Sequence, residues 1–197
     1  MTTSSTGTQL SLLARARGRD PAAWSDLVRL YAPLIAHWCR RCGLDPHDTA
    51  DCVQDVFASV ATALVRYRPA DSSGAFRGWL WTITRNKVRD QRRRRSHQPR
   101  GEGGSTAARQ LAELADEQAL PEDEPSDAGV LRDLVRRGLE QVRAEFEPAS
   151  WQSFWRTAID GIPTAVAAQQ LGLTSAAVRQ NRSRIMRRLR QQLGDSG

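Results

Sequence analysis

The sequence predicts an all-α protein built as two small helical domains joined by a flexible acidic linker, the C-terminal domain being a helix-turn-helix. Three observations carry that expectation. Every patterned segment of useful length repeats its apolar residues at i, i+3, i+4 and i+7, and no stretch shows the alternation of a strand. Charge falls in three blocks: residues 1–100 hold 17 basic against 8 acidic side chains, residues 101–128 hold 1 against 8, and residues 129–197 hold 11 against 6. Finally, "GIPTAVAAQQLGLTSAAVRQNRSRIMRRLRQQL" sets a short helix, a glycine turn and a basic helix in succession.

The first domain is expected over residues 8–95. Asp20 and Pro21 open a helix as N-cap and first helical position, followed by Trp24, Leu27, Val28, Tyr31, Leu34, Ile35, Trp38 and Cys42 on one stripe, with Gly43 as C-cap. Asp45 and Pro46 start the next helix, whose stripe is Val53, Val56, Phe57, Val60, Ala61 and Leu64; Asp51, Gln54 and Asp55 fall on its polar side. "RPADSSG" (68–74) reads as a loop. A third helix follows in "FRGWLWTITRNKVRDQRRRR". At about 100° per residue, Phe76, Trp79, Leu80 and Ile83 form its core face. Trp81, Arg85 and Val88 then lie roughly opposite, with Arg77 beside them.

Residues 96–129 have linker composition around one short helical possibility, "AARQLAELADEQA". The second domain, 130–194, begins with a helix through "VLRDLVRRGLEQVRAEF" whose apolar set is Val130, Leu131, Leu134, Val135, Leu139 and Val142, ended by Pro148. "ASWQSFWRTAI" adds Trp151, Phe154, Trp155 and Ile159 to a small core. In the helix-turn-helix, Pro163 opens the first helix, with Ala167, Ala168 and Leu171 inward. Gly172 takes the turn and Leu173 plugs the corner. Thr174 N-caps the second helix, which keeps Val178, Ile185 and Leu189 inward. That leaves Arg179, Gln180, Ser183, Arg184 and Arg187 outward, where side chains reach base edges and phosphates in a major groove.

Composition excludes several classes. A net charge of +7 in two basic blocks points to polyanion partners, nucleic acid above all. No window approaches the roughly 18 apolar residues of a membrane span, and the polar N-terminus lacks a signal-peptide pattern, so a cytoplasmic location with reduced thiols is expected. No nucleophile–base pair, phosphate loop or carboxylate dyad supports catalysis, so neither enzyme activity nor a cofactor is expected. "HWCRRC" suggests a metal site at His37, Cys39 and Cys42. A fourth ligand would have to be Cys52, His47 or His97, and the helical pattern around the motif instead places the cysteines as small apolar residues.

"DCVQDVFASVATALVRY", a loop and "FRGWLWTITRNKVRDQRRRR", followed by the helix-turn-helix with "AVRQNRSRIMRRLR", resemble the two domains of bacterial σ factors, in particular the extracytoplasmic-function (ECF) group of the σ70 family. The resemblance implies a non-enzymatic subunit that directs core RNA polymerase to promoters. Its partners would be the clamp helices of the largest subunit, the flap region, promoter DNA and an anti-σ factor. On this resemblance Asp51, Gln54 and Asp55 dock on the clamp helices, and the third helix recognises the −10 element. Asn86, Arg89, Arg92 and Arg93 match positions that touch DNA, joining the outward Arg77, Trp81 and Arg85. Trp81 either stacks on a base or packs against another helix. Loop 68–74 cradles a flipped base, and Thr174, Arg179, Gln180, Ser183, Arg184 and Arg187 read −35. The linker resembles a connector threading the RNA path, or is a plain spacer. Arg182 departs from the family's aliphatic inward residue; either its stem snorkels or the helix is rotated. The other reading is a one-component helix-turn-helix regulator acting without polymerase.

Overall fold

The computed structural model describes residues 11–68, 74–97 and 120–194, and all regular structure among them is helical. In chain order these are α1 (Leu12–Arg17), α2 (Pro21–Arg41), α3 (Pro46–Ala63), α4 (Ala75–His97), α5 (Ala128–Val142), a 3₁₀ turn (Arg143–Glu145), α6 (Pro148–Ala158), α7 (Thr164–Leu171) and α8 (Ser175–Gln192). The short helix expected within 107–119 and most of the loop 68–74 lie outside the described residues. Contacts divide the described chain into two units, one of residues 28–68, 74–97 and 120–134, the other of residues 11–27 and 135–194.

Local chemistry starts the helices where the sequence expects. Asp20 Oδ1 accepts from the backbone N–H groups of Ala22 and Ala23 at 2.9 and 3.2 Å. Asp45 Oδ1 accepts from Asp48 N at 2.9 Å, and Thr174 Oγ1 from Ala177 N at 3.1 Å. Each satisfies a donor that the first helical turn leaves open. The hydrogen bond from Arg15 to Asp20, and those from the capped amides, hold the Asp20 carboxyl below its usual range.

In the first unit, α2 buries Leu30, Tyr31, Leu34, Ile35, Trp38, Cys39 and Cys42, and α3 buries Cys52, Val56, Phe57 and Val60. Ala61, expected on the α3 stripe, is exposed. Phe76 at the start of α4 has no exposed surface; its ring meets Tyr31 of α2 edge-on at 5.2 Å and Tyr67, just past α3, at 5.5 Å. Cys39 and Cys42 are buried at the end of α2; a hydrogen bond with Cys52 and burial together keep the Cys39 thiol protonated.

In the second unit, Leu139, Val142, Trp151, Phe154, Ile185 and Leu189 form the core, and α1 packs on α8 through the same unit. Gly138 lets α5 and α8 approach closely, since a Cβ there would lie 2.9 Å from Leu189 Cδ1. Gly172 takes φ +64 at the turn between α7 and α8, the left-handed conformation that favours glycine. Three expectations are corrected here. α5 stops at Val142 and tightens into the 3₁₀ turn, while Pro148 begins α6 instead of ending its predecessor. Val135 is exposed on α5. Trp155 and Ile159 are 38% and 50% exposed, so α6 buries only Trp151, Ser153 and Phe154. Polar residues complete the interior. Asn181 donates to the buried Ser153 Oγ at 3.1 Å, and Arg188 makes a two-pronged pair with Glu145 at 2.7 and 2.6 Å.

Phe154→Ala should destabilise this unit by about 3–5 kcal/mol, whereas Trp155→Ala should cost less than about 1 kcal/mol. Chemical denaturation of the two variants checks the difference, and equal losses would place Trp155 in the core after all.

Candidate functional site

Three surfaces carry the sequence-predicted residues. On α3, Asp51 and Gln54 are exposed and Asp55 is half-buried, so the acidic side expected there is presented to solvent. The end of α4 runs beside it. Arg94 lies 3.5 Å from Asp55, His47 3.5 Å from Asp51, and Arg95 pairs with both Asp45 and Asp48. Gln91 donates to Asp48 at 3.0 Å. The arginine run thus serves partly as a clamp on the N-terminal turn of α3. Arg92 is tied likewise, donating to the Cys42 carbonyl at 2.5 Å. Arg93 is exposed to the same degree as Arg94, and pairs with Asp90 one turn back at 2.8 Å.

Along α4 the wheel expectation fails at one residue in particular. Trp81 is 3% exposed, not outward: its ring meets Trp38 edge-on at 5.6 Å. Val88, placed on the same outward face, is fully buried, and so is Thr84. The helix buries one arc through Phe76 and Leu80 and an adjoining arc through Trp81, Thr84 and Val88. At about 100° per residue these five join into one continuous arc of about 140°, turned away from the face centred on Phe76 that the apolar residues predict. What remains outward is Gly78, Thr82, Asn86 and Arg93, with Arg94 and Arg95 turned toward the acids of α3 and the half-buried Arg85 and Arg89 alongside. Trp79, expected in the core, is half-buried instead. It stacks on Tyr67 at 4.6 Å and lines an open groove with Thr62, Ala63, Arg66 and Tyr67. No periodicity marked this groove, because Tyr67 lies beyond the end of α3.

The end of the acidic segment, residues 120–127, lies against the same unit. Leu120 is buried at 4% exposure. Trp81 Nε1 donates to the Glu122 carbonyl at 3.0 Å and Trp38 Nε1 to Ser126 Oγ at 2.9 Å. His37 Nε2 sits 3.1 Å from the Pro125 carbonyl, the distance of a hydrogen bond with that nitrogen protonated. Arg77 Nε lies 2.5 Å from Glu124. Burial pushes the Glu124 carboxyl above its usual range, outweighing Arg77. Asp127 caps α5 by accepting from Val130 N at 2.9 Å.

On α8, Thr174, Arg179, Gln180, Ser183, Arg184 and Arg187 are all exposed. Arg182 is exposed too, so neither inward snorkelling nor burial describes it; the inward place is filled by Asn181 on Ser153. Arg184 is held by its own domain, donating to Ser150 Oγ at 3.2 Å with its guanidinium 5.5 Å from the centre of the Phe146 ring.

Comparison with known proteins decides what these surfaces belong to. The sequence matches the family Sigma-70 region 2 over residues 27–98. It is 32% identical over 168 residues to the RNA polymerase sigma factor NccH of Alcaligenes xylosoxydans xylosoxydans, covering 85% of each chain. It is 30% identical over 190 residues to the ECF RNA polymerase sigma factor ShbA of Streptomyces griseus, covering 91% of this chain and 92% of that one. The chain belongs to the ECF σ factors of the σ70 family. A solved structure of CnrH in complex with the cytosolic domain of CnrY shares 25% identity, spanning 94% of this chain and 97% of that one, with a TM-score of 0.36. This σ factor acts in transcription initiation, where its class binds RNA polymerase and promoter DNA. Among the described residues no helix is long and apolar enough to cross a membrane.

With that membership in place, the α4 set divides. The σ factor leaves Asn86 and Arg93 outward with Arg85 and Arg89 at the edges, ties Arg92 to α2, and places Arg77 and Trp81 under its own acidic segment. Sequence reasoning missed the Tyr67–Trp79 groove and the two indole donors.

Trp81→Ala should therefore destabilise the first unit by about 3–5 kcal/mol and Trp79→Ala by clearly less, the reverse of the wheel's ranking; thermal denaturation reads the order. Glu124 adds a pH dependence. Its folded form favours the protonated acid, so its contribution is complete below the ordinary carboxylate range and is lost as pH rises through the raised value. Protection of the Trp81 indole N–H, corrected for intrinsic exchange, should fall as pH rises from acid to neutral, and Glu124→Gln should flatten that profile.

Proposed function

We propose that this σ factor docks on the clamp helices of the largest polymerase subunit through Asp51, Gln54 and Asp55. The observation that carries the reading is that one chain presents an acidic α3 face and two separate basic helices, α4 and α8. Docking would draw Arg94 away from Asp55, exchanging an exposed intramolecular ion pair for one across the interface, at little net cost.

The −10 element is read along α4 by Asn86 and Arg93 with Arg85 and Arg89. The groove of Arg66, Tyr67 and Trp79 offers a stacking platform for an unpaired base. The −35 element is read in the major groove by α8 through Arg179, Gln180, Ser183 and Arg187, with Arg182 beside them and Thr174 at the helix start. Arg184 serves there as a brace. The exposed Trp155, Ile159 and Val166 are apolar groups suited to the flap region. An anti-σ partner and a cytoplasmic location are proposed on family membership alone.

Asp55→Arg should abolish co-purification with core polymerase and run-off transcription on genomic fragments while leaving the melting temperature unchanged. Retained binding to core by the folded variant would remove α3 as the docking face.

A further inference from the structure

The segment Leu120–Asp127 touches the body of the σ factor in an unusual way. Among the described residues it makes one internal backbone hydrogen bond, from Ser126 N to the Glu124 carbonyl at 2.9 Å, and is fixed to α5 only at Asp127, whose carbonyl accepts from Leu131 N at 3.1 Å, so lifting residues 120–126 costs almost no secondary structure. Yet four side chains from two helices hold it: Trp38 and His37 of α2, Trp81 and Arg77 of α4. Leu120 anchors one end by burial. Glu122 and Asp123 point to solvent, so the covered face shows acid where α4 would otherwise show a guanidinium and an indole. Those two groups are what a phosphate and a base would seek.

We propose that Leu120–Asp127 is a displaceable cover, an acidic strap that competes in cis with the unpaired promoter strand for Arg77 and the Trp38–Trp81 face. The inference rests on the reading above that α4 binds −10 DNA, and extends it to a surface that is closed in the isolated chain. Tethering makes the strap an intramolecular competitor at high effective concentration, so a strand binds that face with an affinity reduced by the open fraction. Engagement of the linker by core polymerase lifts the strap and opens the face where melted DNA will lie.

Leu120→Glu tests this without favouring the result electrostatically, because it adds a negative charge to a protein asked to bind a polyanion. Pro121→Glu, at an exposed neighbour, is the charge-matched control. Binding of a fluorescein-labelled single-stranded oligonucleotide of mixed sequence is measured by anisotropy, with Arg77→Ala built into each background. Leu120→Glu should bind about tenfold more tightly than Pro121→Glu, as expected if the open state is a minor population, and Arg77→Ala should erase the gain while scarcely affecting the wild type. If Leu120→Glu binds no better than its control while Arg77→Ala weakens the wild type, the cover is refuted and the DNA reading of the face stands. If hydrogen exchange shows the strap released in Leu120→Glu but Arg77→Ala changes nothing in either background, that reading fails at this face and takes the cover with it. Should the variant not fold, hydrogen exchange of the wild-type chain decides. The Trp38 and Trp81 indole N–H groups, which donate to the strap, should lose protection on adding core polymerase, and unchanged protection in the holoenzyme overturns the proposal.

Discussion

The broad buried arc of α4, running from Phe76 to Trp81 and Val88, is the constraint on which the first unit depends. Phe76 locks one arc of the helix between Tyr31 and Tyr67, and Trp81 locks the adjoining arc against Trp38. A helix pinned by a large ring at each edge of its buried arc cannot roll, so its remaining face is set to within the tolerance of aromatic packing. Asn86 and Arg93 owe their outward direction to those buried rings, and the Tyr67–Trp79 groove exists because Phe76 brings the end of α3 to the start of α4.

Arginine has two employments in this chain, and sequence cannot tell them apart. Arg92 and Arg95 close α4 onto the turn and first residues of α3, Arg188 fastens α8 to the 3₁₀ turn, and Arg184 lies along Phe146. Arg179, Arg182 and Arg187 stand outward on the same helix as the last two. The forked guanidinium suits both purposes, satisfying carboxylates and carbonyls at home or phosphates and guanines elsewhere. Which use prevails depends on whether an acid or a carbonyl lies within reach, a tertiary fact.

Much of the architecture was legible because it is locally encoded. Asp20, Asp45 and Thr174 announce helix starts through the geometry of their own carboxyl or hydroxyl oxygens, and Gly172 announces the turn through its backbone freedom. The acidic α3 face was legible because Asp51, Gln54 and Asp55 fall off the buried stripe of Val56, Phe57 and Val60, as a wheel shows. Trp81 was not, because its contact with Trp38 turns the buried arc of α4 away from the face that its apolar residues define. Trp155 and Ile159 were misplaced for the converse reason: they lie in a helical pattern, but the core beside them is already filled by Trp151 and Phe154. The seat of residues 120–127 left no trace, since carbonyls accepting from indoles produce no side-chain periodicity. The inward turn of Asn181 was hidden likewise, because its partner Ser153 is distant in sequence.

The strap's contacts also give it a dependence on ionic strength unlike that of its rival. Two indole donors meeting a carbonyl and a hydroxyl, with a buried leucine, form a hold that dissolved ions barely screen. A nucleic-acid strand on the same face relies on phosphate contacts and counterion release, and its affinity falls steeply as ions accumulate. If the proposed cover competes with such a strand, the balance between them would shift with the ionic content of the cell, toward closure when a cell is dehydrated and toward opening when it is dilute. A covering segment fastened by ion pairs alone would weaken in step with its competitor and register nothing.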